Sequence, residues 1–259
     1  MNNQIIITSL LVSSSLNLLF LLAASVLISK RGGFSFVVYK ILQIVKAKMN
    51  QGNMTYPPYY QHKKSQFEQL PKSNSDIIFL GDSITDEGEW SELLENPHVK
   101  NRGISGDTTS MLQNRLETIL ESEPKQIFLM IGINDLVYDE KSPEGVVAGY
   151  KQILQQFQAK IPTTQVFVQS VLPVNNNITR YWQNPHNILK LNSYLQELAQ
   201  ELNYQYIDVF SHLANSENQL DVKYTSDGEH LNGAAYLVWG SIIAKYVGSL
   251  EVTNNLYNL

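Results

Sequence analysis

The chain has 259 residues, 43% of them hydrophobic and 17% charged, and contains no cysteine. That length accommodates one domain of about 150–200 residues with an appendage. The absence of Cys removes thiol nucleophiles, disulfides, iron–sulfur clusters and Cys-ligated zinc. A formal net charge of −5 argues against a nucleic-acid partner, which calls for a basic patch or stripe.

Charge is distributed unevenly. Residues 1–67 hold no Asp or Glu but seven Lys or Arg, so the remainder is strongly acidic. Residues 1–29 carry no charged side chain, and 5–28 is mostly Ile, Leu, Val, Phe and Ala. As a helix such a run is long enough to cross a hydrocarbon layer of about 30 Å. No base precedes the run and no A-x-A site precedes Lys30, so 1–33 reads as an uncleaved N-terminal transmembrane helix rather than a signal peptide. The bases flanking it lie on its C-terminal side, and the positive-inside rule then places the following domain in the cytoplasm.

Residues 34–75 read as an amphipathic segment and linker. Phe34, Val37, Val38, Ile41, Leu42 and Val45 recur at helical spacing beside Lys40, Lys46 and Lys48. That suits a helix in the membrane interface, or a stripe packed on the domain that follows. Gly52, Pro57, Pro58 and Pro71 mark 51–75 as linker, with Tyr56, Tyr59, Tyr60 and Phe67 expected to pack on the domain.

From 76 to 250 short apolar runs alternate with amphipathic ones. Strands are expected at 76–80, 99–102, 126–131, 165–171 and 205–209, and helices at 109–121, 143–160, 187–202 and 233–247. Residues 251–259 read as a tail. Strand–helix alternation implies right-handed crossovers and a five-stranded parallel sheet covered on both faces, a three-layer α/β/α sandwich. Ligands bind such sheets beyond the carboxyl ends of the strands, which confines the search for chemistry to a few loops.

The first strand ends in Gly81-Asp82-Ser83-Ile84-Thr85, a tight turn that can expose a serine, although Gly-Asp-Ser is also ordinary turn composition. The second runs into Gly103-Ile104-Ser105-Gly106-Asp107-Thr108, where Gly106 precedes a helix with unpartnered N–H groups. The third ends in Gly132-Ile133-Asn134-Asp135, a common turn pair whose Asn amide is also a competent oxyanion donor. After the fifth comes Asp227-Gly228-Glu229-His230, a spacing that can set a carboxylate on imidazole Nδ1 and leave Nε2 as a base. His62, His98, His186 and His212 lack such a context. One sheet edge thus collects a nucleophile, a base with its orienter, and N–H donors, the requirements of acyl transfer.

These blocks carry a resemblance. The chain resembles the SGNH, or GDSL-type, serine hydrolases through Gly81-Asp82-Ser83-Ile84, Gly106, Gly132-Ile133-Asn134-Asp135 and Asp227-Gly228-Glu229-His230, in order across 76–247. It is most similar to bacterial members related to the platelet-activating-factor acetylhydrolase catalytic subunit. Ile84 replaces the Leu of the name motif. The resemblance implies a flavodoxin-like SGNH hydrolase fold and a serine esterase. Its catalytic residues would be Ser83, His230 and Asp227, and its oxyanion hole Ser83 N–H, Gly106 N–H and the Asn134 amide.

No cofactor or metal is implied, because Asp82, Asp86, Glu87 and Glu89 lack calcium-loop spacing and no His-x-x-x-His pair exists. For substrate contacts the candidates are Trp90 and, in the loop after the fourth strand, Asn175, Arg180 and Trp182. Aromatic and amide groups suit a sugar, which favours short-chain acyl or O-acetyl esters of carbohydrate. The same residues could serve packing alone. A lysophospholipase or thioesterase on lipid acyl esters is the alternative, and a catalytically silent binding domain a third reading. The sequence does not set the oligomeric state.

Overall fold

The computed structural model describes residues 56–179 and 183–247. The expected membrane helix over 1–33, the amphipathic stretch 34–45, the tail, and Arg180 and Trp182 lie outside the described residues. Among the described residues, no helix is long and apolar enough to cross a membrane.

Five parallel strands form one sheet: β1 (Ile77–Gly81), β2 (Val99–Gly103), β3 (Gln126–Met130), β4 (Gln165–Gln169) and β5 (Gln205–Ile207). Their spatial order is β2-β1-β3-β4-β5, the flavodoxin-like arrangement. The helices of the described residues are α1 (Pro58–Gln69), α2 (Ser83–Asp86), α3 (Trp90–Leu93), α4 (Thr109–Gln113) and α5 (Leu116–Leu120), then α6 (Ile133–Val137), α7 (Pro143–Lys160), α8 (Pro185–Glu201), α9 (Phe210–Leu213) and α10 (Gly233–Val247).

All five residues of β1 and of β3 are buried, so both faces of the sheet are covered. Strands shielded on two sides need apolar residues at every position rather than at alternate ones, and Ile-Ile-Phe-Leu and Ile-Phe-Leu-Met supply them. Right-handed crossovers from β3 to β4 to β5 carry α7 and α8 to one face, and the reversed step from β1 to β2 carries α3 to the other. On that second face Phe79, Phe128 and Phe167 sit in register on three neighbouring strands and stack at 4.9 and 4.5 Å between centroids. Trp90 extends the row, stacked 4.3 Å from Phe79 and edge-on to Trp239 of α10.

β4 and β5 end two residues earlier than the apolar runs suggest. Ser170 Oγ accepts the N–H of both Val209 and Phe210 at 2.8 Å, and these bonds replace the ladder there.

Two expectations are corrected. The region 51–75 contains α1, a twelve-residue helix, where the prolines suggested linker. Pro58 occupies its first turn, where a missing N–H costs nothing, and Tyr60 and Phe67, two turns apart, are buried against Ile104. The single helix expected over 109–121 is two, α4 and α5, separated at Asn114 and Arg115. Arg115 leaves helical geometry and turns inward to pair with buried Asp107, with Nη2 2.7 Å from Oδ2 and also donating to Gly81 O at 3.1 Å. An isolated buried carboxylate is so costly that its partner takes precedence over one more turn of helix.

Candidate active site

The chain leaves β1 toward β2 and then crosses back to β3, so the loops after β1 and β3 diverge and a crevice opens between them. Ser83 begins α2 directly after β1, and Asn134 lies in α6 directly after β3. Asp82 caps α2, its Oδ1 accepting the Ile84 N–H at 3.1 Å, which fixes the turn that presents Ser83.

His230 Nε2 lies 3.1 Å from Ser83 Oγ, and His230 Nδ1 lies 2.8 Å from Asp227 Oδ2. The other carboxylate oxygen, Oδ1, accepts the N–H groups of Glu229 and His230 at 2.9 and 2.8 Å. One carboxylate therefore folds the loop and orients the ring at once.

Two further contacts hold that loop. Thr225 Oγ1 accepts the N–H groups of Gly228 and Asp227. Gly228 O accepts the Asn175 N–H at 2.7 Å, tying the loop to the segment after β4. Gly228 has φ +86°, and a Cβ there would stand 2.6 Å from Thr179 N and 2.7 Å from Asn175 O. Only glycine fits this position without displacing the loop.

On the other side of Ser83, Asn134 Nδ2 donates to Asp107 O at 2.9 Å, which uses one of its two amide hydrogens. Gly106 adopts φ +81°, and the space around its Cβ position is open to 4 Å. Among the described residues, neither the Ser83 nor the Gly106 N–H has a protein acceptor.

Electrostatics separate the carboxylates. Burial opposes ionisation of Asp227, but the bonds from His230 and from two backbone N–H groups outweigh it and lower its pKa to about 2. Burial likewise disfavours the His230 cation. The Asp227 hydrogen bond and the charges of Glu229, Glu87 and Asp227 prevail, so its pKa is raised above 6.5. Asp82 is fully enclosed, and burial pushes it up to about 8 despite the Ile84 N–H, with Glu229 and Asp107 adding to the rise. It is therefore mainly neutral at pH 7.

The structure thus brings Ser83, His230, Asp227 and Asn134 to one sheet edge, with Gly106 in the adjoining turn. Trp90 does not join them. Its ring is 1% exposed inside the aromatic row, and Nε1 donates to Thr85 O at 2.8 Å, so the expected substrate wall is core. Asn175 is also buried, donating from Nδ2 to Leu220 O at 2.8 Å and accepting the Asn177 N–H, so it shapes the loop beside the site instead of facing a ligand.

Sequence reasoning missed Glu87, whose Oε1 is 4.0 Å from His230 Nε2. It also missed Asp135, which accepts Thr109 N–H and Oγ1–H and pairs with Lys141, pinning the start of α4 to the β3 loop. Asp135 stands beside Asn134 in its block, and that adjacency was the available signal. Among the described residues, no group of three or more His, Asp or Glu is arranged for a metal ion.

Residues 79–238 match the GDSL-like Lipase/Acylhydrolase family. The platelet-activating factor acetylhydrolase IB subunit alpha2 of Rattus norvegicus is 28% identical over 170 residues, covering 62% of this chain and 71% of that protein. A Streptococcus pneumoniae structure named for platelet activating factor is 26% identical, with TM-score 0.68 over 81% of this chain and 99% of that one. Axe2, an acetylxylan esterase from Geobacillus stearothermophilus, shares the fold at 19% identity and TM-score 0.55, over 69% of this chain and 96% of that one.

Proposed function

The chain belongs to the GDSL-like lipase/acylhydrolase family, and on that premise we propose that it hydrolyses carboxylic esters through an acyl-enzyme on Ser83. The observation that carries this reading is the continuous path from Asp227 through His230 to Ser83 Oγ, at 2.8 and 3.1 Å. In the proposed reaction Ser83 Oγ bonds to the ester carbonyl carbon as His230 Nε2 takes its proton. The carbon–oxygen bond to the alcohol then breaks, and the imidazolium returns the proton to the leaving oxygen. Water repeats the sequence on the acyl-serine, releasing the acid and restoring Ser83. The oxyanion formed in each half is met by the N–H of Ser83, the N–H of Gly106 and the second amide hydrogen of Asn134.

For the acyl group we propose a short chain, acetyl foremost. Ser83 is only 5% exposed, which suits a small acyl group, and the rat relative is by name an acetylhydrolase. Lipid acyl esters form the second reading, favoured by the apolar run 5–28 at the head of the chain. In both cases the proposed place of work is a membrane surface, with 1–33 as a single-pass anchor and the domain on the cytoplasmic side. A protease that digests the domain on intact cells would reverse that orientation.

The decisive experiment is labelling with a fluorophosphonate probe. Wild type should label stoichiometrically and Ser83→Ala not at all, while a folded wild type that fails to label would favour a silent binding domain. On p-nitrophenyl esters, acetate should be turned over faster than octanoate, and the reverse order would select the lipid reading.

A further inference from the structure

The helix α1 lies ahead of the family match, yet it touches the turn that bears Gly106 from two directions. The first contact is apolar. Tyr60 and Phe67 form a small separate core with Ile104, two residues before Gly106, and Tyr60 Oη donates to Met111 O at 2.9 Å. Phe67 also lies under two guanidinium groups, 5.0 Å from Arg102 and 6.0 Å from Arg115. Arg115 holds Asp107, whose carbonyl holds Asn134.

The second contact is polar and runs through Asp86, the last residue of the helix that Ser83 begins. Tyr59 Oη donates to Asp86 Oδ2 at 2.5 Å, and Lys63 Nζ lies 2.7 Å from Oδ1. Oδ2 also accepts the Ser105 N–H at 3.2 Å. Asn101 Nδ2 fastens the backbone on both sides of Asp86 by bonding to the carbonyls of Thr85, Asp86 and Gly88 at 2.9 Å each. The Asp86 carboxylate is therefore a bridge with α1 at one end and the Ile104–Ser105 peptide, one residue ahead of Gly106, at the other.

We propose that α1 is a positioning element of the site: through Tyr59, Lys63 and Asp86 on one side and Ile104 on the other, it sets the turn 104–107 so that the Gly106 N–H meets the oxyanion. A helix that only covered an apolar strip would need Tyr60 and Phe67 but not a tyrosine and a lysine on the carboxylate that holds Ser105. Donors at an oxyanion are effective only at defined positions, and a displacement near 1 Å costs up to about 100-fold in rate. The inference rests on the reading of Ser83 and Gly106 above, and α1 would act on the rate of the chemical step rather than on ground-state binding.

The test compares kcat and KM of the full chain with those of Tyr59→Phe/Lys63→Met, Lys63→Arg and Lys64→Met. Lys64 is a control on the same helix, paired among the described residues with Glu68 at 3.7 Å. The double variant should lose about tenfold in kcat at unchanged KM, counted per fluorophosphonate-titrated site, while Lys63→Arg and Lys64→Met keep wild-type values. Wild-type kcat in the double variant would overturn the proposal, as would a loss that vanishes once sites are counted. Should the double variant not fold, Tyr59→Phe alone takes its place, with the same two outcomes. If Ser83→Ala stays active, the reading of the site fails; if it is inactive while the double variant is normal, the brace alone fails.

Discussion

Glu87 Oε1 stands 4.0 Å from His230 Nε2, the nitrogen that faces Ser83, while Asp227 holds the opposite nitrogen at 2.8 Å. The imidazole thus sits between two carboxylates, with Glu229 nearby, and this arrangement favours its protonated form although burial works against it. A general base acts only when neutral, so activity is lost as pH falls through the raised pKa of His230. The acid limb of kcat/KM for p-nitrophenyl acetate should therefore lie above pH 6.5. Glu87→Gln removes one negative neighbour and should move that limb to lower pH. A limb that stays in place would show that Glu87 does not act on the base.

Asn134 is the one proposed oxyanion donor that substitution can delete. Asn134→Ala should lower kcat by about 10²–10³ with little change in KM, the signature of an interaction made in the transition state. Steady-state kinetics on the acetate ester decide this, and an unchanged kcat would remove Asn134 from the proposed reaction. The same substitution frees Asp107 O, so a circular dichroism melt should accompany the kinetics.

Asp82 links the serine turn to stability. Its pKa is raised from 3.8 to about 8 in the folded chain, so the folded state retains a proton that the unfolded chain gives up. That contribution is full below about pH 4 and is lost as pH climbs through about 8. Asp82→Asn can still accept the Ile84 N–H but cannot ionise. Urea melts should show the variant gaining stability relative to wild type between pH 5 and pH 8, and a difference independent of pH would refute the assignment.

At Gly228 the positive φ and the crowding by Thr179 and Asn175 forbid a side chain. Gly228→Ala should cost about 1–3 kcal/mol of stability from backbone strain alone. It should also depress kcat, because His230 is two residues away on the same loop. A thermal melt together with the kcat measured well below the melting temperature separates the two effects.

β1 and β3 were legible, with Ser83 and Asn134 at their tips, because parallel strands buried on both faces write themselves as unbroken apolar runs and each is followed at once by its loop. The edge strands β2 (Val-Lys-Asn-Arg-Gly) and β5 (Gln-Tyr-Ile) are only partly buried and carry no such run. α1 was not legible. Pro57 and Pro58 read as breakers, and the pair Tyr60 and Phe67 is too sparse a stripe to announce a helix until Ile104 is known to lie beneath it. Trp90 misled for a similar reason: indole suits a sugar face and a core equally well, and the choice depends on whether Phe79 lies next to it.

The primary sequence by itself determined the alternation of strand and helix, the anionic character of the domain and the identity of the four reactive blocks, since these rest on residue type and local spacing. Only the tertiary structure decided that Ser83 and His230, 147 positions apart, come within 3.1 Å. It also decided that Arg115 breaks a helix to reach Asp107, and that Glu87 joins the histidine's surroundings. Each is a through-space relation fixed by chain crossovers and by the cost of leaving a buried charge without a partner, and local spacing along the chain encodes neither.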